Sequence, residues 1–341
     1  DWLPPGSSFG DGPIGTPFLR GQTWWKFMPE FNKYIARVSY LLERGQPVSD
    51  VLWYLGDEIN HKPDQKAHFP SGFKYDYCNP DILLNRLTVK NGKIVTPEGL
   101  SYRLIWLPDN KRMLPETLEK LLELAHNGAI IVGNPPKGLA TLKGKDAQQH
   151  FDKVIKELWG NKNEKIRAIG KGKVISNTNI DDAIKLLEML PEVTSNDILW
   201  VHRKIEGADW YYICPPFGSS FQGTIGFKNP GTPQIWDPLS GEIEVAKVVD
   251  SNENYTYVNI DLARSGSCFV VFPKIKRLEA ERKIYPEKII ETKELIGPWE
   301  LSFPSGWGAP NFHNIDRLTS WKNLDLSPEA KSFSGSVMYS T

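Results

Sequence analysis

Cysteine is scarce in this chain: three in 341 residues, Cys78, Cys214 and Cys268, with no C-x-x-C pair. So few and so scattered thiols build neither a zinc site nor a disulfide framework, which leaves free structural cysteines and no metal. An excess of one charge is also lacking, since 41 basic residues balance 41 acidic ones. Broad nucleic-acid binding needs a basic surface that displaces counterions, so no nucleic-acid partner is expected. No apolar run reaches the ~18 residues that span a bilayer, so no membrane partner is expected either. The first residues, DWLPPGSSFG, carry neither the basic start nor the apolar core of a secretory signal. A chain that starts inside a longer protein would lack that leader in any case.

Aromatics are plentiful. Twelve Trp and twelve Tyr accompany 26 Pro and 28 Gly. Indole needs a partner for its N–H when buried, and exposed it stacks on flat faces, the apolar faces of sugar rings included. Most of these Trp are expected to be core or inter-domain residues.

The length suits two or three domains. Over residues 24–44 the apolar positions Phe27, Phe31, Tyr34, Ile35, Val38, Leu41 and Leu42 recur at helical spacing, and Gly45 and Pro47 end the helix. No sheet precedes this helix to receive its apolar face, so the chain is expected to begin within a domain. Continuous apolar runs follow at 51–55, 102–107 and 129–132, with a fourth at 172–176. Amphipathic helices are expected between them at 115–127, 147–159 and 180–190. Strands alternating with helices imply parallel pairing in a doubly wound, flavodoxin-like sheet over 47–195. Short strands between Gly-, Pro-, Asn- and Ser-rich turns then predict an antiparallel β-sandwich over 196–275. Residues 276–341 read as a charged linker and the start of another, incomplete β-domain.

No nucleotide motif stands: IGKGKV at 169–174 has neither P-loop nor Rossmann spacing and reads as a turn into a strand. Two polar clusters remain. Asp57 and Glu58 lie just past the first strand, where open α/β sheets place ligands. His61, Tyr75 and Tyr77 follow in the long segment 56–86, which is read as a substrate or inter-domain contact or as a solvated loop. Its His61, Asp64 and His68 fit no common metal spacing. In the second cluster, Arg20 supplies fixed hydrogen-bond donors beside the indoles of Trp24 and Trp25. That pairing suits a saccharide; the alternative is that both Trp pack against a neighbouring domain. Asp57 and Glu58 are poor candidates for an acid–base pair, because neighbours at a strand end point to opposite faces. No catalytic residue can be placed.

GTPF-R-TWW, then YIARVSYLLERGQPVSDVLWYLGDE and FKYDYCNPDILLNR, resemble glycoside hydrolase family 106, the α-L-rhamnosidase-type enzymes. WDPLSGE, LARSGSCFVVF and GPWELSFP look similar to the same proteins. The resemblance implies a catalytic (β/α)8 barrel, a flavodoxin-like domain and β-sandwich modules, one of them galactose-binding-like. Residues 1–46 would be the terminal loop and helix of the barrel. Arg20, Trp24 and Trp25 would then sit near the pocket, because barrel sites form at the carboxyl ends of the strands. It also implies a bacterial, periplasmic or secreted enzyme acting by inversion on terminal α-L-rhamnosyl or related linkages of plant or algal polysaccharides. The partners implied are that oligosaccharide or polysaccharide and the missing N-terminal barrel segment. No cofactor is expected in this chain, and a calcium ion is implied for the parent enzyme. Most of the barrel has no counterpart here, so the chain alone is expected to lack the catalytic carboxylates. A non-catalytic carbohydrate-binding or scaffold fragment is the alternative.

Overall fold

The computed structural model describes residues 24–57, 68–107, 112–141, 144–160, 164–274, 292–333 and 335–341. They divide into two compact units: Arg37–Ala280, and a second formed by the described residues before and after it. The architecture is one of mixed and antiparallel sheets with few helices.

In chain order, helix α1 (Met28–Glu43) and the short strand β1 (Gln46–Pro47) are followed by β2 (Val51–Tyr54), β3 (Tyr75–Cys78) and α2 (Pro80–Arg86). A small antiparallel meander comes next: β4 (Thr88–Lys90), β5 (Lys93–Val95) and β6 (Ser101–Tyr102). Its first turn is Asn91-Gly92, both at positive φ, the combination that suits a two-residue hairpin. Then follow β7 (Leu104–Leu107), β8 (Arg112–Met113), α3 (Pro115–Asn127), β9 (Ile130–Gly133), β10 (Gly138–Leu139), α4 (Lys145–Trp159), β11 (Ile166–Ile169), β12 (Gly172–Ile175) and α5 (Ile180–Leu186).

β2, β3, β7, β9 and β12 pair in parallel, and β11 adds an antiparallel edge beside β12. Counted along the chain, the parallel strands stand in the order 2-1-3-4-5. Every residue of β2 and of β7 is buried, as expected of strands covered on both faces. The period of two then sorts their side chains. Leu52, Tyr54, Ile105, Leu107 and Ile131 point to the core shared with Leu118, Leu121, Leu124, Val154 and Leu158 of α3 and α4. Val51, Trp53, Leu104, Trp106 and Val132 face Ile180, Ala183 and Ile184 of α5. That last helix is shorter than the periodicity predicts. Glu188 turns to φ 48°, and Met189 N–H caps the Ile184 carbonyl.

The strands that follow are β13 (Leu199–Ile205), β14 (Ala208–Cys214), β15 (Phe221–Phe227), β16 (Gln234–Trp236), β17 (Ile243–Val245), β18 (Val248–Ser251), β19 (Thr256–Leu262) and β20 (Cys268–Pro273). They form two antiparallel sheets, β1-β13-β14-β20-β16-β17 and β15-β19-β18. Trp200, Tyr211, Ile213, Ile225, Phe227, Val258, Val270 and Phe272 fill the space between them. The outer face of the larger sheet is apolar too. Val38, Leu41 and Leu42 of α1 pack there against Trp210, Phe269 and Val271.

In the second unit β21 (Trp299–Ser302) is flanked by β22 (Phe312–Ile315) and by β23 (Met338–Ser340), which follows the one-turn helix α6 (Pro328–Lys331). Trp299, Leu301, Phe303, Ile315 and Phe333 form its core. The linker predicted after the sandwich falls largely on 275–291, outside the described residues.

Candidate functional site

Asp57 stands at the carboxyl end of β2. Its Oδ1 accepts from the Tyr54 hydroxyl at 2.5 Å and from Thr117 Oγ1 at 2.8 Å. Oδ2 accepts from the Leu114 backbone N–H at 2.9 Å. Leu114 is the N-cap residue of α3 and has no side-chain oxygen of its own with which to hold the first turn. A carboxylate there satisfies an orphan donor and meets the positive end of the helix dipole. Asp57 therefore fixes α3 to the sheet, and burial with that carboxylate beside it pushes the Tyr54 hydroxyl far above its ordinary range.

Tyr75 and Tyr77 lie on edge strand β3, two residues apart and so on one face, with hydroxyls 3.4 Å apart. Their rings continue a row across the sheet: Trp53 stands 4.9 Å from Tyr75, 5.4 Å from Tyr77 and 4.5 Å from Trp106. Tyr77 remains 45 % exposed at the end of the row. The Tyr75 hydroxyl beside it raises Tyr77 to about 12. A row of this kind offers a stacking face at its exposed end. The segment after β3 is a helix start: Asn79 caps α2 by accepting from the Ile82 N–H at 2.9 Å, with Pro80 in the first turn.

Trp24 and Trp25 belong to the second unit, where Trp25 opens a single 3-10 turn and is 38 % exposed. Arg20, Glu58 and His61 lie outside the described residues. The structure thus brings Tyr75 and Tyr77 together and sets Asp57 apart from them in a helix cap.

A buried charge cluster went unseen in the sequence. His202, only 6 % exposed, has Nδ1 3.2 Å from Glu192 Oε2 and Nε2 3.3 Å from Asp209 Oδ1. Lys228 pairs with Glu192 at 2.9 Å, and Lys274 with Asp209 at 2.8 Å. Tyr211 stacks on the imidazole with ring centres 4.1 Å apart. Burial alone would lower the imidazole pKa, but the hydrogen bonds and charges of Asp209 and Glu192 outweigh it and raise it. Burial opposes ionisation of Glu192 and Asp209 as well, yet His202 with Lys228 or Lys274 holds both below their ordinary values.

The cluster sits where the parallel sheet meets the sandwich. Val48 N–H donates to the His202 carbonyl at 3.0 Å, Glu192 N–H donates to the Gly72 carbonyl at 2.7 Å, and Lys74 lies over the Trp200 ring at 4.5 Å. Asp50, 4 % exposed, faces it from the sheet side with Arg103 3.8 Å away. Burial, and then the charge of Glu192, raise Asp50 to about 6. One signal could have found the cluster: period-two counting puts His202 inward with Trp200, and a buried His needs partners. Glu192 and Asp209 are each neutralised by His202 and a lysine, so this part of the cluster clamps two layers together.

Among the described residues no group of three or more His, Cys, Asp or Glu is placed to hold a metal ion.

Known proteins place this architecture. A rhamnosidase from Novosphingobium sp. PP1Y has a similar structure, with a TM-score of 0.77 and 26 % identity over 95 % of this chain and 32 % of its own. A protein named putative beta-glucuronidase from Formosa agariphila is 30 % identical over 279 residues, 78 % of this chain and 23 % of that one. The chain therefore spans a quarter to a third of the length of these relatives. Residues 3–249 match the family described as alpha-L-rhamnosidase, so the chain, with its helix-capping Asp57 and its row of rings ending in Tyr77, belongs to that family of glycoside hydrolases.

Proposed function

We propose that this chain is part of a glycoside hydrolase that cleaves terminal α-L-rhamnosyl or related linkages in plant or algal polysaccharides, by inversion. The family match over residues 3–249 carries the reading. The likeness to a rhamnosidase supports the rhamnosyl linkage, and the relative named for glucuronide cleavage supports a related one. The strand order 2-1-3-4-5 is that of flavodoxin-like sheets, which supports that assignment for 47–195. Residues 1–46 would close a catalytic barrel supplied by the rest of the longer protein, where any calcium would also belong, and the whole would act in the periplasm or outside the cell.

An inverting pair needs two carboxyl groups roughly 6.5–9.5 Å apart with room for water. Glu192 and Asp209 are buried and paired, so acid and base are assigned to the rest of the protein. Arg20, Trp24, Trp25, Glu58, His61, Tyr75 and Tyr77 are the proposed sugar contacts, and Asp57 is left to hold α3. An N-terminally extended form of the protein should release phenol from aryl α-L-rhamnosides or shorten pectic oligosaccharides. Inactivity of that form on every glycoside would overturn the reading.

A second reading has its own observation: the chain spans 23 % and 32 % of its relatives. By itself it would then bind glycans without cleaving them. Titration with oligosaccharides against a Trp24→Ala control separates the two.

A further inference from the structure

At the carboxyl ends of the neighbouring strands β9 and β12 the backbone leaves the sheet at Asn134 and at Ser176-Asn177 and meets the last turns of α4. A cleft of about 530 Å3 lies between them, lined by Asn134, Asp152, Ile155, Lys156, Trp159 and Asn177. In open α/β sheets ligands bind beyond the carboxyl ends of the strands. At β2 that end is closed by Asp57 holding α3. The cleft opens two strands further along the sheet.

Its walls are fixed in advance. The Trp159 indole N–H donates to the Gly133 carbonyl at 2.8 Å, and the ring is buried. Asn134 Oδ1 accepts from the Asn177 backbone N–H at 2.8 Å, so its amide Nδ2 is the remaining donor. Ser176 Oγ donates to the Glu164 carbonyl at 2.9 Å. Asp152 Oδ1 accepts from Gln148 at 2.8 Å, which leaves Oδ2 as an acceptor one turn before the Lys156 ammonium. Amide, carboxylate and ammonium around an Ile155–Trp159 wall supply donors and acceptors for hydroxyls beside an apolar surface. The volume lies within the roughly 300–1,000 Å3 of small-molecule sites.

The dipole selects among ligands. α4 ends at Trp159, so the cleft receives the negative end of the helix, which disfavours phosphates and other anions. Asp152 adds to that bias and offsets Lys156. We infer that the cleft bounded by β9, β12 and α4 binds a neutral mono- or disaccharide through Asn134, Asp152 and Lys156, with Ile155 and Trp159 as its apolar wall. The sugar class rests on the glycoside hydrolase reading above; the shape and polarity of the cleft do not.

Calorimetric titration of the whole chain with methyl α-L-rhamnoside, cellobiose, glucuronate and inorganic phosphate tests the inference. In a Trp24→Ala, Tyr77→Ala background, which removes sugar contacts proposed above, one neutral sugar should still bind with roughly millimolar Kd, and the variants below are made in that background. Asn134→Ala and Asp152→Ala should each weaken it at least about ten-fold, a loss of about 1.4 kcal/mol, while Lys153→Ala on the same helix leaves it unchanged. Thermal unfolding of each variant reports whether it folds. Ile155→Trp, which sets a bulkier ring against the apolar wall of the cleft, should weaken binding without removing a polar group. Binding left unchanged by Asn134→Ala, Asp152→Ala and Ile155→Trp overturns the site, as does a preference for phosphate or glucuronate, or no binding of either neutral sugar. Hydrolysis by the extended protein without binding at this cleft would sink the cleft alone. Binding here without hydrolysis by the extended protein would sink the functional reading alone.

Discussion

Arg37 leaves no room for a side chain at residue 241. A Cβ on Gly241 would lie 2.7 Å from the Arg37 Nη2, and Gly241 already needs φ +81°. The same guanidinium donates from Nη1 to the carbonyl oxygens of Pro238 at 2.9 Å and Leu239 at 2.7 Å. It thereby ties α1 to the hairpin loop of WDPLSGE, which Asp237 holds by accepting from Leu239 N–H and the Ser240 hydroxyl. Two segments that carry the family resemblance are thus parts of one joint. Arg37→Ala should cost about 1.5–3 kcal/mol in urea unfolding, the range for hydrogen bonds from a charged donor. Gly241→Ala should cost about as much by clash and strain, and part of that cost should vanish in the Arg37→Ala background. Strict additivity would show that the guanidinium does not shape this loop.

Removing His202 should uncover two buried carboxylates at once. His202→Gln should lower stability by about 3–5 kcal/mol, the cost of leaving buried charges unpaired. The pH dependence has three parts. The contribution of His202, whose folded pKa is raised above 6.5, is present below that value and lost as pH rises through the folded one. The contributions of Glu192 and Asp209, lowered from 4.5 and 3.8, are present above those values and lost as pH falls through the folded ones. Asp50 runs the other way from its carboxylate neighbours. Raised from 3.8 to about 6, it favours the fold below 3.8 and loses that contribution as pH rises through about 6. The difference is about 3 kcal/mol at about 1.36 kcal/mol per pKa unit. Asp50→Asn should therefore gain stability over the unmodified protein between pH 4 and pH 7. Denaturant midpoints that shift equally at both pH values would remove Asp50 from the cluster.

Periodicity made much of this fold readable and hid the rest. The long helix over α1 and the four buried apolar strands announced themselves because each is a local pattern that tertiary packing reinforces. The hairpin β4–β5 was equally local, signalled by Asn91-Gly92. The buried cluster was harder to see because Asp50, Glu192, His202 and Asp209 come together only when the sheet and the sandwich meet. Asp57 illustrates the limit of reading position as function. A carboxylate at the end of a central strand fits a ligand site and fits a helix cap equally well, until Leu114 and Thr117 are seen to claim it.

Asp57→Ala separates those two roles. A residue that anchors α3 should cost about 1–3 kcal/mol when truncated, because the Leu114 N–H and the Thr117 hydroxyl lose their acceptor. Asp57→Asn keeps the shape and one acceptor and should recover part of that loss. Chemical denaturation gives the ranking, and glycan titration of the same variants gives the second readout. Unchanged stability with lost glycan binding would return Asp57 to the list of sugar contacts.

The three cysteines should differ sharply in reactivity. All are free; Cys78 and Cys268 are buried and Cys214 is half-buried. Burial pushes the thiols of Cys78 and Cys268 up to about 12, so almost no thiolate exists at neutral pH, and thiolate is the reacting form. Burial also raises Cys214, at the end of β14, but its partial exposure leaves reagent access. Native protein treated with a thiol reagent at pH 8 should therefore modify one cysteine within the experiment, and denatured protein should modify three. Peptide mapping should place the native adduct on Cys214. The other two should react only through the opened fold, so the logarithm of their rate should rise in Arg37→Ala and His202→Gln in proportion to the stability lost. Prompt native labelling of Cys78 would mean that the core shared with α3 and α4 is open to solvent, contrary to the packing around Leu52 and Leu83.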